Sequence, residues 1–304
     1  LCRSPAVEYG VPAAWQQETR RRIEASVGWM SQGEIAAMKS WDRTPPVSSV
    51  RHPDEGLAAN PAIADLTQAQ LRHYLDLQFD PVAGVQAKRF SLATTTGGWS
   101  LTSAVGLTMG IAADGSIAWA LDESRSQGEA LWKHSLGYLP LLLEKTQDPG
   151  LLDRVLASFW EYMSSPEWAG DLEWATSKDH ALAMRIRAIC SLACRYRIQG
   201  WRFPDAAVNI LHQDLGTVVA EPDSYITTNN HGAMVSIALI HAAQIFTSLD
   251  DSIAELGWES LRDILGDIFD EQGVAGENSP EYQSVWISLL KPLARMSRDW
   301  PIST

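Results

Sequence analysis

From about residue 126 onward, apolar residues recur at spacings of three and four, the repeat of helices that each bury a stripe of their surface. Segments 126–146, 150–164, 175–198, 204–219, 229–248, 252–270 and 280–298 all follow it. Turn-rich connectors separate them: Asp148-Pro149-Gly150, Ser164-Ser165-Pro166 and Gly200 to Pro204. Short links between helices of this length predict antiparallel neighbours. Segment 229–248 is apolar nearly all round and should be covered on both sides. The pattern therefore predicts an all-α fold, a layered helical barrel or toroid rather than a four-helix bundle. No clean repeat is visible, so the layering follows from helix number and length alone.

Upstream the pattern changes. Residues 13–38 read as a helix with a basic stripe, Arg20 to Arg22, and apolar positions at Ile23, Val27 and Met30. Residues 41–64 carry Pro45, Pro46, Pro53 and Pro61 and read as a loop. A short helix is predicted over 66–79. Around 92–120, Gly97-Gly98 is followed by alternating β-branched residues. Asp114-Gly115 between Leu107–Ile111 and Ile117–Leu121 is a hairpin signal. A small hairpin near 104–121 is favoured there over an irregular connection. The domain expectation is a helical and Pro-rich lead segment over 1–90, then one helical domain over 91–304.

Composition narrows the function. The formal charge of −13 leaves no basic face for phosphates, so nucleic acid is not an expected partner. An anionic substrate would need a local cluster of Arg, Lys and His. No stretch has the length and apolarity of a membrane span. The chain begins with Leu1, not Met, and carries no signal-peptide pattern, so it reads as a trimmed chain or a fragment. Three cysteines do not make a disulfide framework. Cys190 and Cys194, four apart, should share one buried helical face. The 13 tryptophans suit either a core or platforms for sugar rings.

Three constellations carry candidate chemistry. Asn229-Asn230-His231-Gly232 opens an apolar helix, where free N–H groups and the positive dipole end favour an anion. An N-cap explains one asparagine, but not both together with the histidine. About fifty residues later, Glu277-Asn278-Ser279-Pro280-Glu281-Tyr282 opens another helix and places a phenol in its first turn. That tyrosine either packs at a helix end or serves as an acid or base at a cleft rim. Between Trp174 and Arg187 lie Asp179, His180, Arg185 and Arg187. The two arginines are two apart on a helix, so at most one should face a given cleft. His180 could join it or cap the helix with Asp179. Phosphate loops, zinc motifs and nucleophile elbows are missing from the chain, and abundant carboxylates leave a paired-acid glycoside hydrolase open.

Asn-Asn-His-Gly at the start of an apolar helix, then Asp-Glu-x-Gly-x-x-x-Glu-Asn-Ser-Pro-x-Tyr over Asp270 to Tyr282, resembles the heparinase II/III-like polysaccharide lyases. The likeness covers roughly 95–300. It implies an incomplete (α/α) toroid and β-elimination on a uronic-acid polysaccharide. It implies that Asn230 and His231 bind and neutralise the uronate carboxylate, and that Tyr282 transfers the proton. Arg185, Asn229, His180, Glu277 and Trp174 would complete the substrate contacts. No metal or cofactor is required by that chemistry, and a periplasmic or extracellular location is implied. The family's C-terminal β-sandwich has no counterpart in the pattern. The expectation is then the helical half of a longer protein, or a stand-alone toroid. A glycoside hydrolase and a non-catalytic toroid that binds glycans or protein are the competing expectations.

Overall fold

The computed structural model describes residues 90–103, 106–121, 126–174, 178–246, 248–269, 285–286 and 288–290. Among them the chain is mostly helical with one small sheet. Strands β1 (Phe90–Thr95), β2 (Gly98–Ser103) and β3 (Thr108–Ala112) form an antiparallel meander in the order β1-β2-β3. Thr95 pairs with Gly98, so Thr96-Gly97 is a two-residue turn. Helices follow: α1 (Gln127–His134), α2 (Leu139–Thr146), α3 (Pro149–Met163), α4 (Pro166–Trp174), α5 (Lys178–Gln199), α6 (Asp205–Ala220), α7 (Pro222–Tyr225), α8 (Asn230–Ile245) and α9 (Asp251–Ile268). None of the described helices is long and apolar enough to cross a membrane. The expected helices at 13–38 and 66–79 lie outside the described residues, as does most of 280–298, of which Val285-Trp286 and Ser288–Leu290 are helical.

The small β element expected here is present, with a different partner strand from the one the pattern predicts. Asp114-Gly115 does turn the chain: Ala112 N–H donates to Ser116 O at 3.0 Å, and Asp114 Oδ1 accepts from Ser116 N at 2.9 Å. Residues 117–121 then do not return as a strand. They alternate buried and exposed, with Ile117, Trp119 and Leu121 inward. Their backbone groups, however, are taken by helix side chains. Lys133 Nζ donates to Ala120 O, His134 Nε2–H to Trp119 O, and Leu121 N–H to Asp171 Oδ2. Period-two burial here marks an extended chain laid on helices. Strand β3 pairs instead with β2, and Ser103 N–H donates to Leu107 O at 2.8 Å where those two strands meet.

Segment 126–146 also divides. His134 ends α1, and Leu136 adopts a left-handed φ of 53° before α2 begins. The carbonyl that would have continued the helix, His134 O, instead accepts Arg185 Nη1–H at 2.8 Å.

Helix α5 is the hub. It packs against α1, α2, α6, α7 and α8, and most of its residues are buried. Cys190 and Cys194 lie within it as free, buried thiols; burial pushes both up, Cys194 to about 12. Helix α8 is buried on two sides, as its composition predicts. Val235, Ala238, Leu239 and Ala242 join the main core, while Ala233, Ile237 and Ile240 join a second cluster with Leu261, Ile264, Leu265 and Trp286.

The centre of the main core is polar. Arg185 is 3 % exposed and donates Nε to Asp214 Oδ2 at 2.7 Å and Nη2 to Asp214 Oδ1 at 2.5 Å. Its guanidinium lies 5.4 Å from the Trp168 ring centre and 5.7 Å from that of Phe159. Beside it, the Tyr162 hydroxyl donates to Asp171 Oδ2, and His134 sits against Tyr162 and Trp168. Burial pushes the His134 ring down to about 4, with Arg185 adding to the effect.

Two expectations follow. Replacing Arg185 with Leu leaves Asp214 buried and uncompensated, which should cost roughly 3–5 kcal/mol in urea unfolding. Adding Asp214→Asn should recover part of that loss. His134 is held neutral by the fold but takes a proton near 6.5 when unfolded. The unfolded chain therefore binds the extra proton first as pH falls. Stability should drop between about pH 6.5 and 4, by on the order of 3 kcal/mol from this ring. His134→Gln should flatten that part of the stability–pH curve, leaving the share due to His241, whose burial also pushes it down.

Candidate functional site

Two helix starts meet and bring the motif histidines together. At the first, Asn229 is extended (φ −158°, ψ −175°) and its Oδ1 accepts the N–H groups of His231 at 2.8 Å and Gly232 at 3.1 Å. This is an N-cap, so Asn229 fixes the helix start rather than reaching for a ligand. Gly232 is required by crowding: a Cβ there would lie 1.9 Å from Thr227 O. The loop before α8 is thus folded hard against its first turn. Asn230 and His231, both half-buried, occupy that turn.

At the second start, Asp179 and His180 open α5. Asp179 Oδ1 accepts His180 N–H at 2.7 Å. Its other oxygen, Oδ2, lies 3.4 Å from His231 Nδ1. The His180 and His231 rings are 5.0 Å apart, tilted by 42°. The Asp179 side chain is 13 % exposed and that of His231 is 34 % exposed, so the pair forms a shielded wall with one accessible ring. Burial alone would raise the Asp179 carboxyl. The hydrogen bonds from His231 and the His180 backbone, with the charge of both rings, outweigh burial and hold it below the ordinary range.

Tyr225, at the end of α7, adds a phenol nearby that the sequence pattern did not single out. Lys178 Nζ sits 5.3 Å over its ring. Burial, then the carboxylates of Glu221, Asp214 and Asp179, push its hydroxyl up, against the pull of Arg185.

The remaining candidates fall as follows. Arg185 is a correction: it is sealed in the core with Asp214 and His134 O, and is not available to a bound carboxylate. Arg187, two residues on, diverges from it as helix geometry requires, and its field acts on Cys190 and His241 instead. Trp174 closes α4, with its side chain outside the described residues, and Glu277 and Tyr282 lie outside them altogether. Asp179 was visible only as a possible cap, although an Asp-His pair at a helix start could have flagged it. Asp214, the partner of Arg185, carried no local signal.

A cavity of about 260 Å³ lies elsewhere, between β2, β3 and α1, lined among others by Met109, Glu129, Trp132 and Lys133. None of the histidine cluster lines it. Glu129, Lys133 and Tyr138 line that cavity, but the histidine cluster pairs a carboxylate with two imidazoles at close range and is the better candidate for proton-transfer chemistry. No group of three or more His, Cys, Asp or Glu among the described residues could hold a metal ion. What the cluster offers is proton transfer and attraction of an anion at two positive helix ends. Comparison with family models, curated proteins and solved structures finds no match for this chain.

The local geometry yields an ordered pair of effects. Asn229→Ala should cost about 1 kcal/mol, the usual loss of a side-chain cap. Gly232→Ala should cost more, because the new methyl meets backbone that cannot step aside. Urea unfolding of the two variants checks the order.

Proposed function

We propose that this chain is a polysaccharide lyase, or the helical part of one, that cleaves a uronic-acid polymer by β-elimination, and that its helices form an incomplete (α/α) toroid. The observation that supports this best is the approach of His231, Asp179 and His180 from two helix starts. Elimination needs a group to remove the weakly acidic C5 proton and positive potential to spread the charge that develops on the uronate carboxylate. Asn230 and the first turn of α8 supply the potential. The C5 proton goes to His231 or to Tyr282, and Tyr282 is the donor for the departing glycosidic oxygen if it is not the base. The motif that carries Tyr282 supports the same reading through its likeness to the heparinase II/III-like lyases.

The test is digestion of alginate, heparan, chondroitin and hyaluronan, read by ultraviolet absorbance of the unsaturated uronate end. New absorbance supports elimination; reducing ends without it indicate hydrolysis and overturn the proposal. Within an active protein, Tyr282→Phe should cut turnover by about 10² or more while leaving unfolding unchanged, the scale for losing a general acid or base. His231→Ala should lower kcat and kcat/KM together.

A further inference from the structure

The Asp179 carboxylate is divided between two helices. One oxygen is committed to the His180 backbone N–H and the other faces His231 Nδ1. An ionised carboxylate only accepts hydrogen bonds, so the ring nitrogen that faces it carries the hydrogen. The lone pair of the neutral ring is then on Nε2. We propose that Asp179 is the positioning residue of this site: it holds His231 as the Nδ1–H tautomer and so makes Nε2 the atom that accepts a proton from a bound substrate. Only the identity of the substrate depends on the lyase reading; the position of the proton does not.

Other charged and titratable groups frame the ring. Lys178 and His180 stand beside Asp179 on α5, and Lys178 Nζ lies 5.3 Å over the ring of Tyr225 on α7, whose hydroxyl feels the Asp179 carboxylate. The His180 ring lies 5.0 Å from that of His231, so it forms one side of the pocket around the reacting nitrogen. In the elimination, Nε2 takes the C5 proton. The electrons of the C5–H bond form the C4=C5 double bond. The C4–O bond breaks, and its pair stays on the glycosidic oxygen, which takes a proton from water. The hydroxide so formed is neutralised by the proton that the His231 imidazolium gives up, which restores the neutral ring. Asp179 stabilises the imidazolium while it exists.

Asp179→Asn tests this because its outcome is set by the geometry. The amide oxygen should keep the acceptor site for His180 N–H. The amide NH₂ then faces His231 Nδ1 and donates to it, which moves the ring hydrogen to Nε2. Histidine ¹⁵N–¹H correlation spectra of the full chain, with the His231 signals assigned by their loss in His231→Gln, read the tautomer directly. The expected result is Nδ1–H in the parent protein above its titration and Nε2–H in Asp179→Asn. In an active protein, kcat should fall by about 10²–10⁴ with little change in KM, the scale seen when a catalytic histidine is held in the wrong tautomer. A flipped tautomer without any lyase activity would support the positioning role and reject the lyase reading. A parent ring with its hydrogen on Nε2, or one that stays an imidazolium across pH 6–8, would overturn the inference. Those two results need only the parent protein, so they hold even if Asp179→Asn fails to fold.

Discussion

A buried arginine organises this fold. The three nitrogens of the Arg185 guanidinium reach across the core to the Asp214 carboxylate on α6 and to the carbonyl that ends α1. Burying two charges is costly unless geometry and hydrogen bonding offset it. Here a two-point carboxylate contact, a carbonyl and two aromatic faces surround the cation. The arrangement holds only if α1, α3, α4, α5 and α6 all arrive together, which makes it a test of correct assembly. The adjoining Asp171–Tyr162–His134 set extends the same condition to the extended segment 117–121. The position of α5 is thereby settled, and with it the place of Asp179 and His180 one and a half turns upstream.

Much of the helical framework was legible, because burial stripes and caps are local facts. Segment 150–164 became α3, with Asp148 as its cap, and segment 204–219 became α6. Two of the errors share one origin. The break after His134 exists because its carbonyl is claimed by an arginine fifty-one residues away. The missing strand at 117–121 reflects three helix side chains, from Lys133, His134 and Asp171, that satisfy backbone groups a sheet would have used. Long-range polar partners leave no periodic trace, so the sequence cannot announce them. Helix α4 was overlooked for a simpler reason: its nine residues, opening at Pro166, make only about two and a half turns of pattern.

The site was legible by residue type and less so by role. Asn229 and His231 could be picked out because Asn-Asn-His-Gly opens an apolar helix, but only the three-dimensional arrangement separates the cap, Asn229, from the ring that faces Asp179. Arg185 was misread because an arginine among apolar neighbours suggests an anion site, and the buried carboxylate that answers it lies on another helix. Asp179 gains its meaning from His231, and the two are joined by packing between α5 and α8, not by sequence distance.

Helix α8 stands between two apolar clusters, one shared with α5 and the other with α9. Helix α9 rests chiefly on α8, with Gly257 letting the two backbones come close enough that a Cβ would meet Ser236 O at 2.8 Å. The arrangement works as a shared partition wall. Anything that stiffens the first turn of α8 restrains the surface on which α9 is seated. Loosening of the first turn of α8 therefore reaches the layer beyond it through a common helix, and slow amide exchange in α9 becomes a remote gauge of how firmly that turn is packed.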